Sequence, residues 1–440
     1  MGGTSALNGM LYIRGAKKGY DAWNQPGWSY AELLPYFKRA EDNERGESKY
    51  HGAGGPLAVS ESRSKNPMTA AFVEAAIEAG YAANDDFNGE EQDGFGYYQL
   101  TQRNGRRWST AVAYLHPAEP RPNLKVETNL QVHRVLVENG RAVGVVGRKF
   151  GEEVEIRAER EVILSAGAYN TPQLLQLSGI GPGWLLNALN IPVVLDQPQV
   201  GQNLQDHTHV FLVFAHDEPI SLLSAGSPEN VRLFMEEGRG PLTSNIPESG
   251  GYVRTREDTY GPDTQFHCAP VMFKDGGLGI PDAHAISFSS GYLFPESRGM
   301  VTLGSEDPTA KPRIQHNYFA EPGDLDAAVE SFKVNLEISR QKALSQFTTT
   351  AVGGPEGESD AELREHIRRN TQTLYHAAGT AAIGSVVDTD LKVIGVDGLR
   401  VVDASVIPTV FCNPNAPIIA IAEKAADLIK GVTPLPAAEL

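Results

Sequence analysis

The sequence predicts a mixed α/β protein, α+β overall, built from two interleaved domains. Three observations predict it. At 440 residues the chain exceeds one ordinary hydrophobic core. Apolar-polar alternation and strand-loop-helix patterns fall in the first half and again at the end. Between about 208 and 302 the pattern changes to short apolar runs broken by Gly and Pro, the signature of antiparallel strands joined by long loops.

In chain order, "MGGTSALNGMLYIRG" joins paired glycines to small hydroxyl residues and an asparagine, a loop that lets backbone approach a ligand closely. "NQPGWSYAELLPYFKRAED" reads as a turn, a Ser29 cap and an amphipathic helix ending near Ala40. "NPMTAAFVEAAIEAGY" gives a second helix with Phe72, Ala75, Ala76 and Ala79 on one face and Gly80 ending it. Two alternating runs around Asn139-Gly140 predict a hairpin, and "EEVEIRAEREVILSAGA" adds further strand. That strand runs into a turn at Ser165 to Gly167 and a helix starting at Thr171-Pro172 and stopping at Gly179. "DLDAAVESFKVNLEISRQKAL" is helical, and the acidic "GGPEGESDAELREH" reads as a solvated loop and helix start. The chain closes with strand "LRVVDASVIPTV", loop "FCNPN" and a helix whose Ile418, Ile421, Ala422, Ala425 and Ile429 share one face.

Charge and cysteine content narrow the function. With 38 Lys+Arg against 55 Asp+Glu the net charge is -17, which argues against nucleic acid or an anionic membrane and for a small-molecule partner. Cys268 and Cys412 make neither a disulfide framework nor a structural zinc set, so a cytoplasmic location is the expectation. No apolar run approaches the ~18 residues of a membrane span, the start lacks a secretory pattern, and Ala6 stands where myristoylation needs Ser or Thr. No G-x-S-x-G nucleophile elbow occurs.

Four places are suited to chemistry. The turn at Ser165, Ala166 and Gly167 precedes a helix, where free amides and the helix dipole favour phosphate or ribose, although such turns also serve packing. Asn415 and Pro417 open the last helix, either as an ordinary cap or as a rigid positive end facing developing negative charge. His376 lies among small residues in "TLYHAAGTAAIG", as a structural imidazole or a proton acceptor for a hydroxyl. His207 and His209 fall on one side of a strand beside Asp206, but without a third strong ligand no metal site is assigned.

Taken in order, these pieces resemble the glucose-methanol-choline (GMC) family of flavin-dependent oxidoreductases over nearly the whole chain. "GGTSALNGMLYIRG" resembles its first signature and "GAYNTPQLLQLSGIG" its second. "VGQNLQDH" resembles the link to the substrate domain, "PESRGMVTLGSEDPTAKPRIQHNYF" the entry to the C-terminal region, and "LRVVDASVIPT" with "NPNAPIIAIAEKAADLI" the closing segment. The resemblance implies an FAD-binding region over 1–211, a substrate-binding domain over 212–385 with the C-terminal region starting near 295, and a return to the FAD-binding domain over 386–435. It implies FAD contacts at Gly2, Gly3, Ser5, Asn8, Gly9, Val132, Ser165, Ala166, Gly167, Asp403, Ala404, Asn415, Ala416 and Pro417. His376 takes the place of the catalytic base, and Asn415 that of its active-site partner.

The implied reaction is oxidation of an alcohol to an aldehyde or ketone, with oxygen or another acceptor taking the electrons. The same fold also supports a hydroxynitrile lyase. Departures are Ala377, Ala381 and Ile383 after the histidine and Ile418 in place of the usual threonine. Members also carry a GxGxxG βαβ unit before the segment that opens this sequence. The expectation is therefore an N-terminally truncated FAD-binding domain, either completed by a partner chain or left as a cofactor-free fragment.

Overall fold

The computed structural model describes residues 1–440. Helix α1 (Tyr30–Ala40) begins in a capping box: Glu32 N–H donates to Ser29 Oγ, and Glu32 accepts the Ser29 N–H at 2.9 Å. Pro35 inside it has no N–H for the Ala31 carbonyl, which instead accepts Ala438 N–H at 2.8 Å. Helix α2 (Pro67–Glu78) is capped by Asn66 and buries Met68, Phe72, Ala75 and Ala76. Gly80, with φ 97°, ends the turn as expected.

Strand β1 (Gly94–Tyr97) is followed by the hairpin of β2 (Leu130–Glu138) and β3 (Arg141–Lys149), with β4 (Glu152–Arg157) as its third strand. Asn139 and Gly140 have φ of 51° and 79°, both positive as the mirror-image two-residue turn requires. Strand β5 (Val162–Leu164) leads into α3 (Gly167–Leu177). This helix starts at Gly167, earlier than the Thr171-Pro172 start read from the sequence. Pro172 is tolerated inside it because the Ala168 carbonyl, which loses its helical donor, accepts Thr380 Oγ1 at 2.7 Å.

The central apolar runs become β6 (Thr208–Ala215), β7 (Ser249–Val253), β8 (Thr264–Ala269) and β9 (Ala285–Tyr292). They form a seven-stranded antiparallel sheet in the order 350–351, β6, β9, β8, β7, β1, with Gln372–Thr373 also pairing β6. Alternation splits its residues between two faces. Val210, Leu212, Phe266, Cys268, Ile286 and Phe288 join a core with α2, α4 (Pro322–Ser339) and α5 (Asp360–Asn370). The other face carries His209, Tyr252, Gln265, His267 and Ser289. Strand β1 and helix α2 thus bring residues from within 1–211 to the sheet.

A larger core gathers α1, β5, β10 (Leu399–Val401) and α6 (Asn415–Lys430), with β5 and β10 parallel. The buried face of α6 carries Pro417, Ala420, Ile421, Lys424 and Ala425, whereas Ala422 is exposed and Ile418 and Ile429 half-buried. The face is rotated from that read in the sequence because Lys424 points inward, donating to the Gly27 carbonyl and lying 4.6 Å over the Trp28 ring.

Candidate active site

His376 is held at its backbone. Asp206, at the entry to β6, accepts His376 N–H at 2.8 Å through Oδ1 and the hydroxyls of Thr373 and Tyr318 at 2.6 Å each through Oδ2. Thr373 Oγ1 also accepts Tyr375 N–H at 2.8 Å, fixing a turn in which Tyr375 has φ 63°. This turn carries the chain from the pairing strand into the loop and leaves the imidazole buried against β6.

A run of polar contacts crosses the site. Gln265 Nε2 donates to Tyr252 OH at 2.7 Å, and Tyr252 OH donates to Asn413 Oδ1 over a long 3.5 Å. Asn413 Nδ2 lies 3.3 Å from His376 Nε2; His376 Nδ1 lies 2.9 Å from His207 Nδ1; and His207 Nε2 lies 2.9 Å from the Leu293 carbonyl. Burial disfavours the imidazolium throughout, pushing His207 and His267 down to about 4, His209 to about 3 and His376 well below its usual range. His376 is therefore neutral at neutral pH and keeps a lone pair on one ring nitrogen, and the Asn413 amide lies beside Nε2. His209 Nε2, His267 Nδ1 and Gln265 Oε1 have no hydrogen-bond partner, which leaves polar capacity open on this face.

The structure brings Asn413, and not Asn415, to the imidazole. Asn413 precedes α6 in the loop and is free to turn its amide to His376, whereas Asn415 is the first residue of the helix. Of the two asparagines around Pro414, the sequence points to Asn415, which opens the last helix and matches the family position. His207 drew notice beside His209 as an unconvincing metal pair, and the structure makes it the neighbour of His376 instead.

The remaining residues form a second side of the site. No side chain caps the N-terminus of α6, so the first-turn amides at Asn415 and Ala416 have no capping acceptor, and Asn415 Nδ2 is buried without a partner. Ala416 and Pro417 are buried behind them. In the opening segment Gly2 and Gly3 have φ of 97° and 54°, and the space beside Gly3 is open. Ser5 Oγ bonds Thr110 Oγ1 at 3.0 Å, Asn8 Oδ1 accepts from Met10 N and Arg107 Nη1 at 3.0 Å each, and the Gly9 carbonyl accepts Asn245 Nδ2 at 3.1 Å.

Ser165 is exposed at the end of β5, and the space beside Gly167 is open. Val132 is half-buried on β2 beside an irregularity in the pairing. Asp403 is committed elsewhere: Oδ2 accepts Gly167 N–H at 2.9 Å and Thr171 Oγ1 at 2.5 Å, and Oδ1 accepts Ser405 N–H at 2.8 Å. Its carboxylate joins β10 to α3. The Ala404 carbonyl accepts Gly379 N–H at 3.2 Å. An uncapped helix terminus, an orphaned buried amide and glycines with clear space fit an acceptor-rich planar cofactor of the flavin type.

Comparison with known proteins agrees with this geometry. GMC oxidoreductase family models match residues 1–209 and 295–422. An oxygen-dependent choline dehydrogenase of Sinorhizobium fredii is 41% identical over 99% of this chain and 82% of its own length. The mitochondrial choline dehydrogenase of Mus musculus is 42% identical over 98% of this chain and 75% of its own. Among solved structures, pyridoxine 4-oxidase from Mesorbium loti superposes with a TM-score of 0.88 at 28% identity, covering 98% of this chain and 83% of that one. An FAD-dependent oxidoreductase from Chaetomium thermophilum gives 0.87 at 26% identity, covering 97% and 85%.

Proposed function

The chain belongs to the GMC oxidoreductase family, and from that premise we propose how its own residues carry out the family's FAD-dependent oxidation of alcohols. The carrying observation is the buried, uncharged His376 with Nε2 against the Asn413 amide at 3.3 Å. The alcohol replaces the direct Asn413–His376 contact, its O–H donating to Nε2 while Asn413 Nδ2–H donates to its oxygen. His376 takes the hydroxyl proton as the C–O bond gains double-bond character, and Asn413 holds the oxygen in line. Asp206 keeps the imidazole in place through its backbone.

FAD, when bound, supplies the two-electron acceptor for the hydrogen on the alcohol carbon. The first-turn amides of α6, the opening segment around Gly2, Gly3, Ser5, Asn8 and Gly9, and the Ser165–Gly167 turn would hold it. Residues 1–211 and 386–435 then form mainly the cofactor side and 212–385 mainly the substrate side, with α2 and β1 lent to the latter. Among the chain's helices none is long and apolar enough to cross a membrane. The names of the relatives make choline the first alcohol to try and oxygen the first acceptor.

The test is anaerobic mixing of the FAD-loaded chain with alcohols while following the flavin absorbance. Bleaching by an alcohol is expected, and His376→Ala should slow it by about 10²–10⁴-fold while FAD content stays unchanged. Loss of FAD in parallel with activity would remove His376 from the proton-accepting role.

A further inference from the structure

We infer that His207 is a positioning residue that fixes the tautomer of His376, keeping hydrogen on Nδ1 and the lone pair on Nε2, where the alcohol arrives. This rests on His376 being the proton acceptor. The polarity is fixed at the far end of the contact chain. The Leu293 carbonyl can only accept, so His207 Nε2, at 2.9 Å, must carry a hydrogen. Fully buried His207 is neutral, with burial holding it at about 4, and a neutral imidazole has one N–H. Its Nδ1 is therefore a lone pair, and the His376 Nδ1 facing it at 2.9 Å must donate. One N–H on neutral His376 leaves Nε2 bare.

The polarity is set by a backbone carbonyl, which cannot rotate to offer a donor as a side-chain amide can. The rings stand edge to face, with centroids 5.1 Å apart and planes at 88°, so each nitrogen meets one partner. The far side of the chain has the same polarity: Gln265 donates to Tyr252, Tyr252 to Asn413, and Asn413 to His376 Nε2. The other titratable groups around His376 are His209 and His267 on the sheet face, Tyr252 on β7 and Asp206 at its backbone. None of them contacts Nδ1. When His376 takes the substrate proton, its Nδ1–H bond to neutral His207 becomes charge-assisted, so the same contact that selects the tautomer steadies the cation.

The experiment compares His207→Leu, which removes the acceptor, with His207→Asn, whose Oδ1 stands about where Nδ1 stood. In the FAD-loaded chain, His207→Leu should lower the rate of flavin reduction by about 10-fold or more at saturating alcohol, with KM and FAD content little changed. His207→Asn should restore most of that rate. Independently, ¹⁵N spectra of imidazole-labelled parent protein, with His376→Ala to identify the signal, should show His376 protonated at Nδ1.

A Leu variant as fast as the parent, an Asn variant as slow as Leu, or a parent spectrum with Nε2 protonated would each overturn the inference. If His207→Leu fails to fold, the Asn variant and the parent spectrum still decide. An unimpaired His376→Ala would instead overturn the proton-acceptor reading, whatever the tautomer spectrum shows.

Discussion

Two buried histidines in this molecule sit in opposite electrostatic settings. His51 lies in a network tying the opening segment to α1. Its Nδ1 is 3.0 Å from Glu41 Oε1 and its Nε2 2.9 Å from Asp86 Oδ2, while Glu41 also takes Arg14 Nη2 at 2.7 Å, Asn43 Nδ2 at 2.9 Å and Gly52 N–H at 2.8 Å. Burial opposes its charge, but the bonds to Asp86 and Glu41 win and raise its pKa. His376 has imidazole and amide neighbours, and burial, reinforced by His207, His267 and His209, drives it down. The lesson is that burial keeps a histidine neutral unless carboxylate partners outweigh it. Where the polar groups are closed by carboxylates and a guanidinium the fold is being held, and where donors and acceptors stay unpaired a substrate has somewhere to bind.

The sharpest way to break this contrast is Arg14→Met. Arg14 and Glu41 are 1% and 0% exposed at their side chains, so removing the guanidinium strands a buried carboxylate. A loss of about 3–5 kcal/mol is expected by urea unfolding. A change below about 1 kcal/mol would show that His51 alone can neutralise Glu41.

Next comes the pair of asparagines. Asn413→Ala should slow flavin reduction by about 10²-fold with FAD retained, as expected for loss of a preorganised donor. Asn415→Ala should act mainly on FAD affinity. Exchange of the two phenotypes would return Asn415 to the base.

Acid distinguishes the two settings thermodynamically. For His207, His209 and His267 the unfolded chain binds protons below the ordinary 6.5 while the folded chain resists until about 4, 3 and 4. These groups therefore cost the fold nothing above pH 6.5 and destabilise it progressively as pH drops through 6.5 towards the folded values, each by up to the order of 3–5 kcal/mol. His51 has the opposite sign: its raised pKa gives stability that is full below 6.5 and lost as pH climbs through the folded value. Asp206 and Asp263, raised by burial, oppose the acid loss in the carboxylate range. Calorimetry across pH 4 to 9 should show a maximum near neutrality. His51→Gln should flatten its alkaline side.

The smallest effect belongs to His209→Phe. His209 Nε2 has no partner and Nδ1 has only Ser289 Oγ at 3.3 Å, so an apolar ring of similar shape should change stability by less than about 1 kcal/mol. A loss as large as that for Arg14→Met would mean the unpaired nitrogen is bound within the fold.

The His51 network and the His376 site differ in how much of them the sequence reveals. Ser29 with Glu32, Asn139-Gly140 and Gly80 were legible because capping boxes, mirror-image turns and helix stops are local chemistry. The expectation at His376 rests on its small neighbours together with family likeness. Asn413 and His207 were not legible, because the former needs the angle at which α6 begins and the latter a contact 169 residues away. The early start of α3 escaped for the same reason, since the donor that rescues the Ala168 carbonyl comes from Thr380.

That last bond reaches further than the helix it repairs. Thr380 is four residues beyond His376, so Pro172, by giving up one helical bond, leaves room for a strut between the turn at the end of β5 and the loop bearing His376. Gly379 and Ala381 brace the same loop against the Ala404 and Ser405 carbonyls. The three bonds tie the start of α3 and the segment after β10 to one loop. Pro172→Ala would set a helical N–H in competition with Thr380 for the Ala168 carbonyl, and so weaken one of those ties.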